Sequence, residues 1–179
     1  SYTVVVTNSS NCSATSSATN VTVNPVPTAT ATASGNTTFC AGGSVTLNAN
    51  TGTGLTYQWK NNGNNITGAT SASYTANASG SYTVVVINSS SCSATSSATT
   101  VTVNPVPSVS LTSLPAFVSI QSANIPLNGT PAGGTYTGSG LVGNAFSPST
   151  AGLGSKSITY SYTTSAGCGN QMTQSTIVY

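Results

Sequence analysis

The sequence predicts an all-β protein, a row of tandem β-sandwich modules joined by proline-containing linkers. Three observations carry that prediction. Residues 1–27, SYTVVVTNSSNCSATSSATNVTVNPVP, return at residues 81–107 as SYTVVVINSSSCSATSSATTVTVNPVP, 80 residues later and changed only at Thr7/Ile87, Asn11/Ser91 and Asn20/Thr100. Apolar and hydroxyl residues alternate with period two, which places successive side chains on opposite faces of a strand. Each copy ends in Asn-Pro-Val-Pro, where proline removes a ladder donor and stiffens an extended linker. A repeat of this period in a β-rich sequence marks modules strung along a chain.

Taken in order, residues 1–27 read as the last two strands of a partial repeat. Such a hairpin is marginal alone in water. It is expected to complete a sheet with upstream residues, or with another chain by strand donation. The chain begins at strand level inside the repeat and shows no signal peptide or membrane span, so it reads as a piece of a longer exported protein. Residues 28–107 read as one complete module. Strands are expected at Thr28–Ala33, Ser44–Ala49 and Leu55–Lys60, near Ser73–Thr75, from Ser81 to Ile87, and in a final arm ending at Val103. Asn61-Asn62-Gly63-Asn64 marks a turn, because Asn and Gly accept positive φ. Residues 108–179 read as a second type of module, with an alternating strand Ser157–Thr163 and a last strand Gln171–Tyr179.

The segments SVTLNA, YQWK and ASGSYTVVV resemble the immunoglobulin-like modules of bacterial surface proteins, and most closely the tandem modules of Bacteroidota proteins exported by the type IX system. The resemblance implies tandem immunoglobulin-like sandwiches, with residues 1–27 supplying a C-terminal hairpin. It places Trp59 as the buried core tryptophan and Tyr82 and Tyr2 as tyrosine-corner residues. Ala49 and Val84 stand where antibody domains carry inter-sheet cysteines, so packing replaces that staple. Residues 108–179 resemble another β-sandwich module of the same exported proteins, but Ser119 stands where a cysteine is usual.

Charge narrows the function classes. The chain has no Asp, Glu, His or Arg, and Lys60 and Lys156 are its charged side chains. General acid–base catalysis lacks its usual groups. A nucleophile would need one of the two lysines as its base. Lys60 reads as a solvated strand-end residue and Lys156 as a turn residue, so no catalytic residue, cofactor or metal ligand is assigned. Carboxylate calcium sites cannot form. Two lysines make no nucleic-acid footprint. Near-zero net charge leaves association with identical chains unopposed.

Four cysteines, Cys12, Cys40, Cys92 and Cys168, leave several pairings open. The family resemblance suggests Cys40 with Cys92. Strand topology separates those two by roughly 25 Å, against the ~7 Å between Cα atoms that a disulfide allows. Across a module joint, Cys40 would instead face Cys168, while Cys12 and Cys92 would look upstream. Free thiols are the remaining alternative.

Tyr57, Trp59, Tyr74, Tyr136 and Tyr160 could stack on sugars, although strand spacing suits core packing for most. Tyr136, on a glycine-flanked loop, is the candidate ligand contact. Val85 and Ile87 fall on the face opposite the core and form a candidate interface. The reading is a non-catalytic structural or adhesive repeat segment of an extracellular filament or bacterial cell-surface stalk. The alternative is a carbohydrate- or surface-binding accessory module of a large secreted protein.

Overall fold

The computed structural model describes residues 1–179. Through residue 107 the strands are β1 (Val5–Thr7), β2 (Ser13–Thr15), β3 (Ala31–Ala33), β4 (Thr38–Cys40), β5 (Val45–Ala49), β6 (Thr56–Asn61), β7 (Asn64–Asn65), β8 (Ser73–Ala76), β9 (Gly80–Ile87), β10 (Ser93–Thr95) and β11 (Thr99–Asn104). Beyond it come β12 (Ser110–Leu111), β13 (Phe117–Val118), β14 (Ile125–Pro126), β15 (Gly129–Thr130), β16 (Thr135–Gly138), β17 (Leu141–Val142) and β18 (Ala145–Phe146), then the short helix α1 (Pro148–Ala151), β19 (Gly154–Thr163) and β20 (Gly169–Val178). The residues group into two compact units, one of 1–33, 47–74 and 81–99, the other of 34–46, 75–80 and 100–179.

In the first unit β7, β6, β9 and β10 run antiparallel, with Trp59 opposite Val84 and Val85 opposite Thr95. A three-stranded sheet runs β3–β5–β8. Period-two alternation decides what is buried. Along β9, Tyr82, Val84 and Val86 are buried while Thr83, Val85 and Ile87 are half-covered. Trp59 is fully buried, and its indole N–H donates to the Ser71 carbonyl at 3.0 Å, which satisfies the one polar atom the ring carries inward. Its ring lies 6.1 Å from that of Tyr74, which lies 5.8 Å from Tyr82. Asn62 and Gly63 both hold positive φ, 50° and 81°, and close β6 onto β7 through a two-residue turn.

Two strands differ from the sequence reading. The strand expected over Thr28–Ala33 begins at Ala31, because the Asn50 side chain takes over the earlier backbone, accepting from Thr30 N at 3.0 Å and donating to Thr28 O at 3.1 Å. The arm following β9 is interrupted at Ser96. That residue is buried, its N–H donates to Val84 O, and its hydroxyl accepts from Val84 N at 3.1 Å and donates to Ser97 O at 2.8 Å. Ser16 does the same against Val4 in the first copy. A hydroxyl that serves the backbone in this way competes with the ladder.

In the second unit β4 runs parallel to β11, with Cys40 opposite Asn104. The β19–β20 hairpin pairs ten residues on each side and continues to β16 on one edge and β13 on the other. Leu111, Leu127, Phe146, Ile158, Tyr160 and Val178 are buried together at its core. Gly129 and Gly134 permit the Tyr160 ring to sit there, since a Cβ on either would come within 2.5 Å of it. Tyr160 Oη accepts from Gly134 N at 2.7 Å and donates to the Pro131 carbonyl. Lys156, expected in a turn, is the third residue of β19 and half-buried opposite Thr176.

Candidate functional site

Three of the four cysteines sit in one turn built three times, and the fourth, Cys40, ends β4. In the last copy Thr164 N donates to Cys168 O at 2.9 Å and Gly167 N donates to Thr164 O at 2.9 Å. Asn88 N to Cys92 O and Ser91 N to Asn88 O repeat this at 3.0 and 2.9 Å, and Asn8 with Cys12 and Asn11 repeats it again. The fourth residue of each turn has positive φ, 59° at Asn11, 61° at Ser91 and 81° at Gly167. The first residue's side-chain oxygen then accepts the cysteine N–H: Asn8 Oδ1 and Asn88 Oδ1 at 3.0 Å, and Thr164 Oγ1 at 3.2 Å. Small polar residues do this at little steric cost.

Cys168 is fully buried and joined to Cys40 by a disulfide, with Cα atoms 5.6 Å apart. The linker that ends the 81–107 stretch lies against this joint. Cys168 Sγ lies 4.0 Å from Asn104 O, and Asn170 Nδ2 donates to Pro107 O at 3.0 Å. Three short pieces of sequence thus meet: the end of β4, the linker after β11, and the turn between β19 and β20. Cys12 and Cys92 are free, the first exposed and the second half-buried. The Cys40–Cys92 pairing that the resemblance suggested is absent. Ser119 holds in the last module the place that Cys40 holds in the one before. It follows β13, which runs parallel to the end of β20, and Ile120 N donates to Tyr179 O at 2.8 Å as Ala41 N donates to Asn104 O at 2.8 Å.

The structure relocates Tyr136. The sequence placed it on an exposed loop, but it lies in β16, half-buried, with its ring 4.7 Å from Tyr160. Its hydroxyl accepts from Gly129 N at 2.7 Å and donates to Leu127 O at 3.0 Å. A shallow hollow of about 320 Å³ opens beside it, between Asn128 and Asn144. Its hydroxyl is spent on the fold, so the residue is structural first. Val85 and Ile87 lie on the face of β9 opposite the core and are half-covered. Trp59 and Tyr82 lie in the core, whereas Tyr2 is 70 % exposed. No group of three or more Cys, His, Asp or Glu side chains comes together, and no helix is long and apolar enough to cross a membrane.

The two copies of the repeat carry one pattern in different surroundings. Tyr82, Val84, Val86 and Val101 are at most 1 % exposed, while their counterparts Tyr2, Val4, Val6 and Val21 are 60 % exposed or more. The same side chains therefore form a core face in one copy and an uncovered apolar face in the other.

Residues 27–105 match the family model described as Ig-like domain, CHU_C associated, a domain of Bacteroidota proteins secreted by the type IX route. That match makes residues 27–105 an immunoglobulin-like domain, a part of the kind found within larger proteins, and the strands above make the whole chain nearly all-β. Families of this domain are generally non-catalytic. No curated protein matches the chain. Among solved structures, the three N-terminal domains of the Highly Immunogenic Outer Capsid protein of bacteriophage RB49 are similar, with a TM-score of 0.39, 19 % identity, and 84 % of this chain and 59 % of that one covered. An I-band fragment of titin gives a TM-score of 0.36 at 12 % identity over 79 % and 61 % of the two chains. The fibronectin(III)-like modules of Clostridium thermocellum CbhA give 0.35 at 18 % over 83 % and 93 %. This chain thus spans less than two thirds of the first two structures.

Proposed function

We propose that the chain is a non-catalytic structural repeat segment of an extracellular filament or bacterial cell-surface stalk. The observation that supports this most directly is the joint. A disulfide binds the end of β4 to the turn after β19, and the proline linker docks against that turn through Asn170. A protein whose work is to span distance gains from joints that neither hinge nor open under load. The neutral surface fits the same use, since packing between copies meets no charge repulsion. Exported Bacteroidota proteins that carry this domain place it where disulfides persist.

Single-molecule stretching tests the load-bearing role. With the disulfide intact, the segment between Cys40 and Cys168 cannot lengthen beyond the bond. Reductant should release roughly 430 Å of hidden contour, from a sequence separation of 128 at ~3.4 Å per residue. Equal unfolding lengths with and without reductant would refute a role for the joint under load.

A further inference from the structure

The joint around Cys168 has a half-built counterpart around Cys92. Both cysteines occupy the same hydrogen-bonded turn. Both turns seat on an Asn-Pro-Val-Pro linker. Cys92 Sγ lies 3.8 Å from Asn24 O, as Cys168 Sγ lies 4.0 Å from Asn104 O. Each linker also takes an asparagine side chain, though from different positions: Asn88 Nδ2, at the start of its turn, donates to Pro25 O at 2.9 Å, and Asn170 Nδ2, just past its turn, donates to Pro107 O at 3.0 Å. At the completed joint the residue opposite Asn104 in the β4–β11 register is Cys40, and Cys40 closes on Cys168. At the other, the linker asparagine is Asn24, and the sulfur beside it is free and half-buried.

Residues 1–27 repeat 81–107 nearly letter for letter, so the residue that would stand opposite Asn24 is the Cys40 position of a preceding copy. We propose that Cys92 is one half of a second joint disulfide, whose other half is the cysteine at the Cys40 position of an identical module placed ahead of residue 1. Each joint of the array is then closed by the same two elements, a cysteine at the end of the short parallel strand and a cysteine in the turn of the next module. Closure breaks two S–H bonds and forms one S–S bond. The S–S bond of a disulfide-bearing oxidoreductase breaks in exchange, and the oxidoreductase takes up the two electrons and, net, the two protons and leaves as its dithiol. The proposal rests on the array reading in one respect, that a further copy precedes.

The test adds a second copy of residues 28–80 directly ahead of Ser1, which completes the module around residues 1–27. The 179-residue chain has two free thiols, Cys12 and Cys92. The extended chain carries one cysteine more, yet thiol titration in non-reducing denaturant should find a single free thiol, and peptide mapping should find Cys92 in a disulfide. Cys40→Ser in the added copy alone should return Cys92 to alkylation while Cys40–Cys168 stays closed, which serves as the folding control. Three free thiols with Cys40–Cys168 formed, or Cys92 bonded to Cys12, would overturn the proposal. A second arm needs no engineering. The parent protein, blocked with N-ethylmaleimide as isolated and mapped without reduction, should show Cys92 disulfide-bonded, and an alkylated Cys92 would overturn the proposal. Stretching reads the load-bearing role independently, so a closed Cys92 with no mechanical effect would leave the staple standing and remove the stalk.

Discussion

A Cβ on Gly134 would lie 2.4 Å from the Ser161 carbonyl and 2.5 Å from the Tyr160 ring. Neither can retreat, because the carbonyl belongs to the β19–β20 hairpin and the ring is 2 % exposed in the core. Gly134→Ala should therefore destabilise the last module by about 1–3 kcal/mol, the usual cost of overpacking, read as a lower denaturation midpoint with an unchanged slope. Tyr136→Phe removes a hydroxyl that serves both Gly129 N and Leu127 O. It should cost about 1–3 kcal/mol by leaving two backbone groups without that partner, and a mutant as stable as the parent would return Tyr136 to the role of a free ligand contact. The sequence showed that Tyr136 was flanked by glycine but not why. Gly134 makes room for the Tyr160 ring and Gly138 for the β19 backbone, rather than loosening a loop. Lys156 was misplaced for a related reason, since Gly152 and Gly154 look like a turn, although β19 already begins at Gly154.

At the level of elements, the repeat makes its own control. β1–β2 and β9–β10 share register and turn, but only the second pair has its apolar face covered. Local stability follows burial rather than local sequence. Backbone amides of Val84 and Val86 should exchange with deuterium far more slowly than those of Val4 and Val6, on the order of a hundredfold or more if the covering adds about 3 kcal/mol. Equal protection in the two copies would mean that residues 1–27 find cover of their own. Strand positions with strong alternation, such as Val45, Leu47 and Ala49, were legible because period two is a local signal. β4 was not legible. It has three residues, and it is a strand because β11 lies beside it in parallel. Its cysteine decides the joint, so the least predictable strand carries the most informative residue. Strand-length geometry dismissed Cys40–Cys92, and the order of module ends turned Cys40 toward Cys168, where the structure has the bond; the docking of the linker beside it was not legible. Cys40→Ser should expose Cys168 to alkylation and lower stability by about 2–5 kcal/mol, as loss of a long-loop disulfide does. A variant of unchanged stability would make the bond incidental.

For the whole molecule the lack of carboxylates and imidazoles sets the behaviour. No Asp, Glu or His side chain changes protonation between the native and unfolded chain in the acid range. Linkage then gives no slope, and unfolding free energy should shift by less than about 1 kcal/mol between roughly pH 3 and pH 7. A steep acid transition in a denaturant series would contradict this. An array held by backbone ladders, apolar burial and disulfide joints should likewise be insensitive to salt, since there are no ion pairs to screen. The modular fold was readable from the period of the repeat, because modules are local in sequence. The proposed assembly was not, because it would depend on faces that one chain leaves uncovered. The most direct test of the account is negative-stain electron microscopy of the native material, kept free of denaturant and reductant. Continuous filaments or stalks with a regular axial repeat, shortened or broken by reductant, are the predicted result. Dispersed short particles, unchanged by reductant, would contradict the claim that these modules are building material.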